Sequence, residues 1–206
     1  MKTQKNIFLF LPNFSIGGAG NSVKNICKII ASKDYNITVF SIGKNSYKKE
    51  LIKSKIKVIE LEKKKTIFSI FKIIKFLNLN YENEKVIFVS NINYANVLSC
   101  IFIKKIKNLK LVLIERTPIQ ELENYFNFSE IFKKKFILLL LKIFYKKADF
   151  IIGNSKKLSL DLSVKINSKI KTITPYVKII NIKKKYNKIP NLAWIGRNSP
   201  EKNIDD

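Results

Sequence analysis

Short apolar runs alternate with longer stretches of helical period along most of this sequence. The predicted strands are residues 7–11, 37–41, 57–61, 86–90, 111–114, 150–153 and 170–173, of which 57–61 and 170–173 are short and contain charged residues. Uninterrupted short runs are typical of strands buried on both faces, whereas apolar positions that recur about every 3.6 residues predict helices. This alternation favours right-handed crossovers between parallel strands. We therefore predict an α/β fold with a parallel sheet and helices on both of its faces.

Two of the connecting segments have contrasting patterns. In the segment 66–79, polar residues recur at every third position, at Ser69, Lys72, Lys75 and Asn78. This spacing predicts an amphipathic helix that turns these residues toward solvent. Residues 42–56 form a lysine-rich connection between two predicted strands.

The connection after the first apolar run is rich in glycine. Residues 17–20 read Gly-Gly-Ala-Gly, and a helical period begins at Val23. Glycine tolerates positive φ and lets a ligand approach the backbone amides, and the first N–H groups of a helix lack partners within it. Gly17 and Gly18 are therefore candidates for contact with phosphate or another anion. An ordinary turn is the alternative.

A dinucleotide-binding loop would be the familiar form of such a site, but the sequence does not match one. The G-x-G-x-x-G pattern fails because Gly18 and Gly20 are followed by Val23. The run 37–41 also ends without the acidic residue that binds a ribose hydroxyl. We therefore expect neither NAD nor another bound cofactor.

Lysine dominates the charge of the chain. Of 206 residues, 40 are Lys or Arg and 15 are Asp or Glu, which gives a formal net charge of +25. The basic residues are dispersed, and neither a zinc-finger spacing nor an aromatic RNA-binding signature occurs. We expect most of this charge to be solvated surface and no specific nucleic-acid binding. A basic face toward anionic lipid or phosphate is the alternative.

Histidine is absent, which removes the commonest general base and the commonest metal ligand. Ser-His and Cys-His catalysis are thereby excluded. Cys27 and Cys100 fall on apolar faces of predicted helices, where a thiol behaves as a small hydrophobic group. We expect neither a disulfide nor a metal site.

The segment 129–147 predicts a long helix with basic and apolar positions. Its uninterrupted core, 136–141, is far shorter than the roughly 20 residues that span a bilayer. The residues that share one side are Lys135, Lys142 and Lys146, beside Phe136, Leu140, Ile143 and Phe144. We expect a core-facing helix with a lysine face; a helix on the inner surface of an anionic cytoplasmic membrane is the alternative. The run 7–11 is too short for a signal peptide, so we expect a cytoplasmic protein.

The end of the sequence differs in composition from the rest. A lysine-rich segment follows Pro175, and a new apolar run begins at 192. A strand there without a following helix would lack cover on one face. We expect one domain over 1–177, a linker over 178–190 and the start of a truncated second domain over 191–206.

Four segments together resemble glycosyltransferase family 4. They are the Gly17-Gly18 loop, the strand exit Glu115-Arg116-Thr117-Pro118, the segment 148–155, and the segment 194–205 with its Gly-Arg and Pro-Glu-Lys. The last is the most specific, and the resemblance covers essentially the whole chain in order. Members of this family have the GT-B fold, in which two Rossmann-like domains face each other across a cleft, so the resemblance implies that residues 1–177 are its N-terminal, acceptor-side half.

The resemblance implies a retaining, metal-independent transfer of a hexose from a nucleotide-sugar to a cell-envelope polysaccharide or glycolipid. The implied catalytic residues are Glu115 and Arg116. The residues implied on the acceptor side of the cleft are Asn91, Asn154 and Ser155; those implied against the donor diphosphate are Gly17, Gly18, Arg197 and Lys202. Two fixed cations beside a departing diphosphate would stabilise the transition state more than the ground state.

The chain departs from the family in having no histidine and in ending before the acidic motif of the C-terminal domain. We therefore expect little or no transferase activity from this chain alone. Two other functions stay open: a non-catalytic Rossmann-like module that works with a separate donor-binding chain or the membrane surface, and a nucleic-acid-binding protein. Arg197 and Lys202 would then be ordinary exposed charges, and Glu115 and Arg116 would pair with each other.

Overall fold

The computed structural model of this protein describes residues 5–33, 35–123 and 128–175, and within the last range it describes side chains from residue 131 onward. These residues form one sheet of seven parallel strands in the order β3-β2-β1-β4-β5-β6-β7. The strands are β1 (Asn6–Phe10), β2 (Asn36–Ser41), β3 (Lys57–Glu60), β4 (Val86–Asn91), β5 (Leu109–Glu115), β6 (Phe150–Gly153) and β7 (Lys171–Thr172). The predicted α/β, Rossmann-like sheet is confirmed.

Six α-helices connect the strands of the described part. They are α1 (Gly18–Ala31), α2 (Lys48–Lys53), α3 (Thr66–Tyr81), α4 (Asn93–Ile101), α5 (Phe128–Phe144) and α6 (Lys156–Ile166). Short 3₁₀ turns follow α4, β5 and α5. None of the helices described is long and apolar enough to cross a bilayer.

The direction of strand addition reverses at β1. From β1 the chain adds β2 and β3 on one side, and it then returns to place β4 against the other side of β1. Phe10 at the end of β1 pairs in register with Phe40 of β2 and with Ser90 of β4. Because the connections after β1 and β4 leave on opposite faces, a crevice opens at the carboxyl ends of these two strands.

The sheet separates two hydrophobic cores, and β1 contributes to both. Phe8 and Phe10 pack into the core under α3–α6, whereas Ile7 and Leu9 pack into the core under α1 and α2. All four side chains are at most 6% exposed. Burial of both faces explains why this strand reads as a continuous apolar run rather than as an alternating one.

Two connecting segments have features that the sequence did not predict. Residues 42–56 contain the helix α2, which is too short to show a period and buries only Leu51 against the α1 side. In α3, Ser69 is buried instead of facing solvent, because its hydroxyl donates to the Lys65 carbonyl within the helix. Phe68 and Phe71 are left about half exposed.

The two cysteines are unpaired and lie inside the cores, Cys27 on α1 and Cys100 on α4. Burial raises the pKa of each thiol to about 12. At neutral pH both are therefore protonated and serve as small hydrophobic groups.

The predicted linker over 178–190 and the predicted second domain over 191–206 lie outside the described residues, as do Arg197 and Lys202.

Candidate active site

The carboxyl ends of β1, β4, β5 and β6 bring together the predicted site residues of the described part. These are Gly17, Gly18, Asn91, Glu115, Arg116, Asn154 and Ser155. They come from four separate segments of the chain and meet at one edge because all the strands are parallel. The crevice at this edge is the usual ligand position in open α/β sheets.

The glycine-rich loop leads from β1 into α1. Gly17 is the N-cap of α1 and has φ 151°, a conformation that favours glycine. Its carbonyl accepts the N–H of Asn21 at 2.9 Å and so begins the helix. Among the described residues no side chain caps this end of α1, so the first-turn N–H groups are free to bind an anion.

Two further glycines of this loop have different roles. A Cβ at Gly20 would lie 2.2 Å from the carbonyl oxygen of Ser15, so only glycine fits there. A Cβ at Gly18 would meet no heavy atom within 4 Å. Gly20 therefore serves packing, a role that the sequence pattern did not distinguish, while Gly18 leaves open space at the crevice.

Arg116 follows β5, and its guanidinium connects three elements of the site. Nε donates to Asn91 Oδ1 at 3.3 Å, and Nη1 donates to Ser22 Oγ on α1 at 2.9 Å. Asn91 is fully buried and donates from Nδ2 to the Phe10 carbonyl at 3.2 Å. These bonds hold the guanidinium between the ends of β1 and β4 and the start of α1. Ser22 was not predicted; its only signal was its position shortly after the glycines.

One nitrogen of this guanidinium lacks a partner. Nη2 of Arg116 is buried and has no hydrogen-bond acceptor. Burial lowers the pKa of Arg116, and the nearby Glu115 carboxylate opposes that shift. A buried donor without an acceptor is costly, and an incoming anion would satisfy it by a charge-assisted hydrogen bond.

Glu115 is the last residue of β5 and lies behind the edge instead of on it. Its side chain is only 1% exposed. Oε1 accepts the backbone N–H groups of Arg116 at 3.0 Å and Thr117 at 3.3 Å. Oε2 accepts the Tyr145 hydroxyl at 2.6 Å and Asn96 Nδ2 at 3.3 Å. The carboxyl group thus shapes the strand exit from inside the protein.

The pKa values of this internal group reflect its burial. Burial raises the pKa of Glu115, and the hydrogen bonds from Tyr145 and the backbone oppose the rise. Burial also raises the pKa of Tyr145 well above its ordinary value, with the Glu115 charge as a second cause. The described ion pairs include none between Glu115 and Arg116, so their mutual pairing, one of the alternatives from the sequence, is wrong.

Asn154 and Ser155 complete the edge after β6. The Asn154 backbone N–H donates to the Glu115 carbonyl at 3.2 Å, and its Nδ2 donates to the Arg116 carbonyl at 3.4 Å. Ser155 Oγ accepts the Leu158 N–H at 3.2 Å, which confirms Ser155 as the N-cap of α6. Asn154 therefore supports the backbone at Arg116, whereas Ser155 supports the start of α6.

Neither a metal site nor a groove adds to this arrangement in the described residues. They contain no group of three His, Cys, Asp or Glu side chains that could hold a metal ion. One groove lies along α6 and β7, where Ser163, Val164 and Thr172 line it, and it contains none of the predicted site residues. It is an open surface groove at the edge of the sheet.

Comparison with known sequences identifies no relative: no protein-family model and no curated protein matches this chain.

Solved structures do match. The Anabaena HepE protein in complex with UDP has a TM-score of 0.57 and 18% identity, over 84% of this chain and 44% of HepE. A glycosyltransferase from Rickettsia africae has a TM-score of 0.54 and 19% identity, over 83% of this chain and 43% of its own. Sucrose-phosphate synthase from Thermosynechococcus elongatus has a TM-score of 0.51 and 11% identity, over 82% of this chain and 87% of the solved chain.

At such low identities these likenesses establish the fold alone, a Rossmann-like parallel sheet of the kind that forms one half of the GT-B fold. The chain spans less than half the length of HepE and of the Rickettsia protein.

Replacing the two loop glycines tests their different roles. We expect Gly20→Ala to lower the free energy of unfolding by roughly 2 kcal/mol, because its Cβ overlaps the Ser15 carbonyl. Gly18→Ala has room for the methyl group, and we expect a change within about 0.5 kcal/mol. Urea unfolding measures both. Equal destabilisation by the two variants would contradict this assignment.

Replacing Tyr145 tests the buried hydrogen bonds of Glu115. Tyr145→Phe leaves a fully buried carboxyl group without its closest donor, and we expect a loss of about 1–3 kcal/mol in the free energy of unfolding. Tyr94→Phe on α4 is the matched control, since Tyr94 is 40% exposed. Thermal and urea unfolding give the comparison. If both variants are as stable as the parent, the Tyr145 hydroxyl does not stabilise Glu115.

Proposed function

We propose that this chain forms the acceptor-side half of a family 4 glycosyltransferase that transfers a hexose from a nucleotide-sugar to a cell-envelope polysaccharide or glycolipid. The observation that carries the proposal is the Arg116 guanidinium, which lies at the crevice beside the uncapped start of α1. The fold likeness to HepE, which was solved with UDP and with UDP-glucose, supports a nucleotide-sugar as the donor.

In this proposal Arg116 is the catalytic residue of the described part. During transfer, the bond between the anomeric carbon and the diphosphate breaks while a bond to the acceptor oxygen forms, with retention at the anomeric carbon and without a metal ion. The nucleoside diphosphate leaves with the bonding electron pair, so its negative charge rises until it takes up the proton that the acceptor hydroxyl loses. A guanidinium that is already oriented at the crevice stabilises this charge more in the transition state than in the substrate.

The family resemblance implied that Glu115 is a catalytic residue. In this proposal it has a different role. Its carboxyl group is buried, and both of its oxygens accept hydrogen bonds from within the protein. We assign it as a positioning residue that orients Arg116 through the backbone N–H groups of Arg116 and Thr117. Asn91 orients the same guanidinium from its other side.

The donor-binding half of the site rests on the family resemblance. Arg197 and Lys202 are proposed to bind the departing diphosphate from the second domain. Since the chain spans 44% of HepE, we expect the chain of 206 residues to have little or no transferase activity by itself. The activity proposed is that of the protein at its native length.

The proposal is tested by variants of Arg116 and Gly18 in the protein purified at native length from its source. Release of nucleoside diphosphate is followed with UDP-glucose, UDP-N-acetylglucosamine and GDP-mannose. We expect Arg116→Ala to lower kcat/KM roughly 100-fold, the loss of one strong charge-assisted contact. We expect Gly18→Ala to lower kcat/KM about tenfold with unchanged stability, because its methyl group fills the open space at the crevice.

Two controls make the test specific. Lys110→Ala removes an exposed cation from the opposite end of β5, and we expect kcat/KM to stay within about twofold of the parent value. Arg116→Lys keeps the charge but replaces the separate Nε and Nη1 donors to Asn91 and Ser22 by one nitrogen without their fixed geometry, so we expect most of the loss seen with alanine. Turnover with none of the donors, or equal effects of Arg116→Ala and Lys110→Ala, would overturn the proposal.

A further inference from the structure

The helix α5 carries a line of exposed apolar side chains along its outer face. Phe132, Phe136, Leu139 and Ile143 are 73%, 59%, 53% and 52% exposed. Their spacings of four, three and four residues place them one above another on a single helical stripe. We call these four residues the α5 stripe.

The opposite side of α5 packs on the protein, which directs the α5 stripe outward. Leu141 is buried in the core under α3–α6, and Ile137, Leu138, Leu140 and Phe144 pack against that core. The sequence had placed Leu140 and Phe144 on the lysine side of this helix. Both are partly buried, and Phe132 and Leu139 are the further members of the exposed face.

Lysines flank the α5 stripe on both sides. Lys133, Lys135 and Lys142 are exposed. At about 3.6 residues per turn, Lys133 falls on one flank of the stripe and Lys135 and Lys142 on the other. The sequence from 131 to 147 contains no acidic residue. The α5 stripe is thus flanked by lysines over this range, and Glu130 near the start of α5 is the one acidic residue in the sequence of the helix.

We propose that the α5 stripe docks on the surface of an anionic membrane. A helix with this pattern lies in the plane of the interface, with its apolar side chains at the headgroup boundary and its lysines on lipid phosphates. A second copy of the chain is the competing occupant. It would bring its own lysines to the contact, in a protein whose formal net charge is +25, whereas anionic lipid neutralises them.

Docking on the α5 stripe also orients the crevice, although the docking itself does not depend on the proposed function. The helix α5 connects β5 to β6 and therefore starts at the carboxyl edge of the sheet, where Arg116 lies. A bilayer along α5 passes beside that edge. If the acceptor is a glycolipid, this arrangement presents it to the crevice without removing it from the membrane.

Vesicle co-sedimentation tests the docking with the chain of 206 residues. The vesicles contain either equal parts of phosphatidylglycerol and phosphatidylcholine or phosphatidylcholine alone, and we expect binding to the first. The Phe132→Ser/Phe136→Ser double variant keeps the net charge, and we expect its affinity to fall roughly tenfold or more. For Lys135→Gln/Lys142→Gln we expect about a tenfold loss and a weaker dependence on salt.

Matched controls lie on the opposite face of the sheet. Ile29→Ser/Ile52→Ser removes two apolar residues of α1 and α2 that are 51% and 55% exposed, and Lys49→Gln/Lys53→Gln removes two exposed lysines of α2. We expect both controls to bind within about twofold of the parent chain. Circular dichroism confirms that each variant is folded.

Three outcomes would overturn the docking proposal. The first is equal binding by the parent and the Phe132→Ser/Phe136→Ser variant, which would indicate general attraction to lysine. The second is an equal loss in the control variants of α1 and α2. The third is a dimer in sedimentation velocity that the stripe variant abolishes, which would assign the α5 stripe to a second copy of the chain. None of these outcomes bears on the turnover measurements, so the two proposals fail separately.

Discussion

Parallel strands impose the constraint on which the rest of this structure depends. Every strand must end at the same edge, so each connection has to carry the chain back along the sheet before the next strand begins. Residues that follow different strands are thereby collected at one edge, as Gly17, Asn91 and Arg116 are. The reversal of strand order at β1 then separates the connections and opens the crevice between them.

The site at this crevice is supported from inside the protein. Glu115 cannot be buried without partners, because an isolated carboxyl group in a core is strongly unfavourable. Tyr145, Asn96 and two backbone N–H groups supply those partners, and the same bonds fix the backbone of Arg116. The stability of the core under α5 and the position of the guanidinium are therefore linked through one carboxyl group.

Sequence pattern was sufficient to predict the strands of the described part, because most of them are short apolar runs, although β3 and β7 are short and contain charged residues. The pattern was insufficient where the position of a side chain depends on the exact end of a strand or on a hydrogen-bond partner distant in the sequence. The predicted fifth strand ends at Ile114, whereas β5 continues to Glu115. Leu111 and Leu113 face the core under α3–α6. Because side chains alternate along a strand, Glu115 faces the same core. Its partner Tyr145 lies 30 residues away, and no local pattern reports such a contact. The prediction that Ser69 faces solvent failed for a related reason, since its hydroxyl donates to a carbonyl within its own helix.

The crevice and the α5 stripe differ in their basic residues, with arginine at the first and lysine at the second. The sequence has only two arginines, Arg116 and Arg197, among 40 basic residues. A lysine ammonium on a long flexible stem suits a fluid lipid surface, where no fixed geometry is required, and Lys133, Lys135 and Lys142 flank the α5 stripe. A planar guanidinium can donate in several fixed directions, and Arg116 uses two of them for Asn91 and Ser22 while a third donor lacks an acceptor. In a chain that otherwise uses lysine almost everywhere, an arginine at the crevice is best explained by a requirement for orientation, because charge alone is abundant elsewhere.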